Sequence, residues 1–124
     1  MDTNARDSTA KVVIGAAYEV SSALGAGFLE KVYERALAEE LLSRGLAVKS
    51  QADYAVFYKG RCVGQYFADI VVDNEVLVEL KCVEQFSSEH LAQCINYLKV
   101  SGLKLALLLN FRRPKLEWKR VVYG

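Results

Sequence analysis

With 124 residues, 52% hydrophobic and 25% charged, and a net charge of +1, the chain has apolar material for one core and too little length for two. A single proline and the lack of any low-complexity run exclude a disordered or fibrous chain. No stretch approaches the roughly 18 uninterrupted apolar residues of a membrane span, and Met1 to Asp7 does not read as a signal peptide, so one soluble, cytoplasmic domain over residues 1–124 is expected, with no membrane partner.

The first helix is predicted from about Ser8 to Leu24, where Val12, Val13, Ala16, Val20 and Leu24 recur at helical spacing and Asp7 or Ser8 offers a cap. Gly25-Ala26-Gly27 breaks it. A second helix is predicted from Phe28 to Arg44, with Leu29, Val32, Tyr33, Ala36, Leu37 and Leu41 on its buried side and Gly45 as terminator. Three strands follow as an antiparallel meander: Val48 to Tyr58, Arg61 to Val72 after the two-residue turn Lys59-Gly60, and Val76 to Val83. The third is apolar on both faces except for Glu79 and Lys81, which marks a central strand. A helix from Ser87 to Ser101 is capped by Ser87 or Ser88 and ended by Gly102, with Leu91, Ile95 and Leu98 as its core stripe. Lys104 to Asn110 reads as a buried strand, and Leu116 to Tyr123, after Pro114, as a last one. This order gives a mixed α/β fold, a central mixed sheet of about five strands flanked by helices.

Cys62, Cys82 and Cys94 are odd in number and lack C-x-x-C spacing, so they read as reduced core thiols rather than a zinc site with His90, the one histidine. Charge is uneven. From Lys99 onward stand seven cations, Lys99, Lys104, Arg112, Arg113, Lys115, Lys119 and Arg120, against Glu117 alone, so this segment carries +6 and the rest −5. A basic segment opposite an acidic one suits a polyanion cut with a metal's help, or simply solvates a strand and a loop.

Asp69, Glu79 and Lys81 carry the chemistry. Carboxylates and ammonium groups in apolar strands are rare unless paired or bound to metal. Glu79 and Lys81, two apart on a strand, share a face. Asp69 lies opposite Glu79 if Val72 pairs with Val76 across a three-residue loop, Asp73 to Glu75; a two-residue turn puts it opposite Val78 instead. Two carboxylates able to hold a hard divalent cation, with an ammonium beside them, are what metal-assisted phosphodiester hydrolysis requires. The plainer reading is a cross-strand ion pair, which leaves one acid unbalanced. On spacing alone, Glu30 reads as a helix-dipole or capping acid and Tyr33 as part of the core stripe. His90, Gln93 and Tyr97 form a polar flank beside the core stripe, solvated in the plain reading, although Gln93 beside a metal site could hold a phosphate oxygen or a water.

Gly27-Phe28-Leu29-Glu30-Lys31-Val32-Tyr33, Asp69, Glu79-Leu80-Lys81 and His90-x-x-Gln93-x-x-x-Tyr97 together resemble the bacterial and archaeal GxxExxY family, over about Ser8 to Val122. That family is similar to the PD-(D/E)XK nuclease superfamily, with its restriction-endonuclease-like core of a mixed sheet between helices. The resemblance implies a nuclease using Mg2+ or Mn2+, held by Asp69, Glu79 and the Leu80 backbone carbonyl, with Glu30 reaching it directly or through water. Lys81 would orient the attacking water and stabilise charge on the phosphate; Gln93 is implied in catalysis, and Tyr33, His90 and Tyr97 as auxiliary residues. Ala68 departs from the family's proline. The expected partner is nucleic acid, DNA by default, with Lys99, Arg112, Arg113 and Lys115 on its phosphates, and a homodimer is expected because small members often pair. The alternative is a nucleic-acid-binding or partner-dependent subunit that keeps this fold without catalysis.

Overall fold

The computed structural model describes residues 3–124. Its elements are α1 (Thr3–Leu24), α2 (Glu30–Ser43), β1 (Val48–Tyr58), β2 (Arg61–Val72), β3 (Val76–Lys81), α3 (Ser88–Ser101), β4 (Leu105–Asn110) and β5 (Glu117–Val122). The five strands form one sheet in the order β1-β2-β3-β4-β5. Only β3 and β4 run parallel, and α3 makes the crossover that parallel neighbours require. This is the expected mixed sheet flanked by helices.

The sheet separates two apolar layers. On one face Val13, Ala17, Tyr33, Leu37 and Leu41 of α1 and α2 pack on Ile70, Val72, Val78, Leu80 and Leu107. On the other, Cys94, Tyr97 and Leu98 of α3 cover Val71, Leu77, Ala106 and Leu108. Each fully buried leucine or isoleucine contributes about 1.5–3 kcal/mol relative to exposure, and β4 is buried along its whole length. Strands β3 and β4 are the buried floor beneath the site.

Several boundaries move for identifiable reasons. Helix α1 starts at Thr3, five residues before the expected Ser8, so Asp7 lies inside it and its carboxylate engages Arg120 instead of capping. Helix α2 starts at Glu30 because the Phe28 N–H donates to the Tyr33 hydroxyl, which in turn donates to the Gly25 carbonyl at 2.6 Å, holding the preceding loop in non-helical form. Strand β3 ends at Lys81, since beyond it the Val83 backbone is held by the Asn110 side chain. By contrast, β1 and β2 have the expected limits, with Lys59 and Gly60 both at positive φ in the connecting turn, the conformation that matches strand twist.

One expectation about the core is corrected. Cys62 is exposed, whereas Cys82 is half-buried and Cys94 buried. The outer half of the β1–β2 hairpin extends past the helices, leaving Phe57, Tyr58 and Val63 more than half exposed as well.

Candidate nuclease site

Val72 pairs with Val76, so the loop holds three residues, and the β2–β3 ladder continues through Val71↔Leu77 and Ile70↔Val78. There it stops. Side chains take the place of the next backbone bonds: a Glu79 carboxylate oxygen accepts the Asp69 N–H at 2.7 Å, and an Asp69 carboxylate oxygen accepts the Leu80 N–H at 2.9 Å. The two strands are thus wedged apart, with each acid occupying the other strand's edge. The sequence reading placed the two acids side by side on one face; they meet instead within the split itself.

The same level of β1 is also disturbed. Gln51, opposite Asp69, drops out of the β1–β2 pairing and has a φ of 51°. Both strands change faces here: Val48, Ile70 and Val72 belong to the layer under α1 and α2, whereas Ala52 and Ala68 belong to the layer under α3. A regular strand alternates without such a switch, so the disturbance gives Asp69 a side chain lodged in the plane of the split.

Lys81 and Gln93 close the α3 side. The Lys81 Nζ donates to Gln93 Oε1 at 3.1 Å, and the Gln93 amide stands 3.5 Å from the Tyr97 hydroxyl. Glu30, at the first turn of α2, approaches from the opposite layer. In an extended strand a residue's N–H and C=O point to the same side, so the Leu80 carbonyl faces the split too.

Electrostatics mark the cluster as short of positive charge. Burial, followed by the charge of Asp69, pushes Glu79 up to about 8 from its ordinary 4.5. Burial also raises Asp69, and Glu30 is raised by burial and then by Asp69. Lys81 lowers all three without restoring them. Among the described residues no three His, Cys, Asp or Glu side chains stand within joint reach of one metal ion. A cation here would therefore rest on Asp69, Glu79 and the Leu80 carbonyl, with Glu30 at one remove. Such an all-oxygen set, with surplus negative charge, fits magnesium or manganese better than zinc.

The PD-(D/E)XK nuclease superfamily model matches residues 7–121. The chain belongs to that superfamily. Among solved structures, this superfamily member is similar to the protein SSO0001, at 12% identity and a TM-score of 0.61 over 76% of this chain and 50% of that one. It is also similar to an alkaline exonuclease from Laribacter hongkongensis, at 12% identity and a TM-score of 0.52 over 87% of this chain and 76% of the other. The chain thus spans about half the length of the first. At such identities the likeness is one of fold. No curated protein matches the chain.

Within this PD-(D/E)XK fold the remaining residues singled out from the sequence are dispersed. Tyr33 is fully buried, stacked on Phe111 at 4.8 Å, with its hydroxyl spent on the loop before Glu30. His90 completes the cap of α3, its Nδ1 accepting the Ser87 N–H while Ser87 Oγ accepts the His90 N–H. Arg112 and Arg113 pair with Glu84 in the loops at the cleft end of the sheet, and Lys115 is exposed in the β4–β5 loop. Lys99 is not brought to this end; it stands in the last turn of α3, over the Tyr123 ring.

Three polar residues escaped the sequence reading. Glu34 is 6% exposed, yet it accepts bonds from Gln51 at 3.0 Å and Lys31 at 3.3 Å. Its signal was available, since it stands one turn after Glu30 and beside Tyr33 on an otherwise apolar face. Gln51 gave none, because a positive φ in mid-strand has no local signature. Asn110, 2% exposed, bonds the Val83 N–H and C=O, the Arg112 N–H and the Glu117 carboxylate. A polar residue closing a run of leucines was the clue to that clamp.

Proposed function

We propose that the chain is a divalent-cation-dependent nuclease of the GxxExxY kind, one nuclease domain that hydrolyses phosphodiester bonds of nucleic acid, DNA first. The observation that supports this reading most strongly is the interlock of Asp69 and Glu79 at the split, with Lys81 beside it. Asp69, Glu79 and the Leu80 carbonyl would hold Mg2+ or Mn2+, with Glu30 reaching it through water. When bound, such an ion draws charge from the scissile phosphate and lowers the pKa of a water.

The chain's own groups supply the rest. Lys81, its Nζ fixed by Gln93, orients the attacking water and offsets negative charge building on the phosphate. Tyr97 buttresses Gln93, and His90 sets the start of the helix that carries both. In-line attack then expels the 3′ oxygen and leaves a 5′ phosphate. Arg112, Arg113 and Lys115, at the cleft end, meet flanking phosphates and make binding weaken as salt rises; Lys99, at the far end, would touch only a long duplex. The domain acts as a homodimer, which would present two such clefts to one nucleic acid.

Cleavage assays on linear, circular and single-stranded DNA and on RNA test the reading. Purified protein with magnesium or manganese is expected to yield 5′-phosphorylated products that disappear with chelator or with Glu79→Ala. If no substrate is cut with either ion, and Glu79→Ala binds manganese as tightly as the wild type, the reading fails.

A further inference from the structure

Gln51 combines three facts that ordinary strand structure does not produce together. Its backbone sits at a φ of 51° in mid-strand, a region that costs a side-chain-bearing residue energy and persists only when the surroundings enforce it. It faces Asp69 at the one level where β1 and β2 lose a pair and change faces without a residue being inserted. Its side-chain amide donates to Glu34 at 3.0 Å, and Glu34 is itself a buried carboxylate anchored on α2. A purely structural mid-strand position has no need of the strain, and a surface glutamine has no need of a buried acceptor.

We propose that Gln51 is a positioning residue of the cleft: its left-handed backbone turns the amide out of the ladder to bridge the Glu34 and Asp69 carboxylates, so that α2 fixes the Asp69 side chain in the split. The amide NH2 has two hydrogens and can serve two acids at once. One hydrogen is spent on Glu34 and Asp69 lies opposite on β2, so the bridge separates two carboxylates that would otherwise repel across the wedge. Asp69 then keeps the orientation in which one oxygen accepts the Leu80 N–H. This rests on the nuclease reading for its consequence and on geometry alone for its content.

Two variants separate positioning from strain. Gln51→Gly accepts the left-handed backbone but has no amide; Gln51→Met keeps the length and the strain. Amide hydrogen exchange at Leu80, read without metal or substrate, is expected to quicken in both, on the order of tenfold, the loss of about one hydrogen bond, while exchange at Val78 stays as in the wild type. The melting temperature is expected to hold or rise in Gln51→Gly, and manganese affinity by calorimetry to fall in both. Unchanged Leu80 exchange in the two variants would overturn the proposal, even if the protein is a nuclease. Faster Leu80 exchange together with a wild type that neither binds manganese nor cuts any substrate would keep the positioning role and sink the nuclease reading instead.

Discussion

Lys81 Nζ lies 3.1 Å from the side-chain oxygen of Gln93, so the cation nearest the two split-forming acids is held from α3 and not by an acid. A glutamine acceptor leaves the ammonium its full charge and fixes its direction, which suits a group that must act on a third party. The contact defines what each member should do when removed.

Lys81→Met is expected to lower kcat by about 100-fold or more, the range for loss of a positioned charge or proton-handling group. Gln93→Leu, which frees the ammonium without deleting it, is expected to lower kcat by roughly tenfold with little change in KM. Because Lys81 lowers the pKa of Asp69 and Glu79, Lys81→Met should also lower the melting temperature of the metal-free protein at pH 8. A rise instead would mark Lys81 as an unneeded buried charge.

Stability without metal should fall as pH rises. The folded-state pKa of Glu79, about 8, lies above its ordinary 4.5, so between these values the folded protein binds more protons than the unfolded chain, and stability drops through that window. Asp69 and Glu30, also raised, act in the same direction. Thermal melts in chelator at pH 5.5 and 8.5 check this; the higher melting temperature is expected at pH 5.5. Glu79→Gln should flatten the profile and be more stable than the wild type at pH 8.5.

The hairpin and the loop lengths were legible in the sequence because local chemistry sets them: Lys59-Gly60 fixes the β1–β2 turn, and three residues between Val72 and Val76 fix the register that brings Asp69 level with Glu79. The crossover helix was equally plain from Ser87 and Gly102. What the residues did not disclose is the wedge. Strand periodicity assumes regular alternation, and the exchange of backbone bonds for carboxylate bonds, with Gln51 at positive φ beside it, breaks that alternation through tertiary contacts alone. Tyr33 likewise belongs to a recognisable motif, yet its buried hydroxyl serves the Gly25 loop rather than the cleft.

Asn110 should matter for activity without touching the split. Its side chain joins the end of β4 to Val83, two residues beyond Lys81. Asn110→Ala is expected to destabilise the fold by about 1–3 kcal/mol through loss of its bonds to the half-buried Val83 backbone and the Arg112 N–H and to reduce kcat by loosening the strand end that carries Lys81. Denaturant titration and steady-state kinetics measure both. Full activity in a destabilised variant would reduce the clamp to a folding role.

Placement of the cations predicts unequal effects on nucleic-acid binding. Arg112→Ala, at the cleft end, should weaken binding of a short oligonucleotide and make the salt dependence shallower by about one counterion. Lys99→Ala, at the far end of α3, should leave it near wild type. Anisotropy titrations over a range of salt compare the two; equal losses would place the nucleic acid along α3 instead.

Calorimetric titration of Mn2+ into chelator-stripped protein at pH 7, repeated in buffers of different ionisation enthalpy, bears most directly on the claim that Asp69 and Glu79 form a cation site. Saturable binding with net proton release is expected, since Glu79 must give up its proton, with loss of both in Asp69→Asn and Glu79→Gln. No binding by the wild type, or undiminished binding by the two variants, would contradict it.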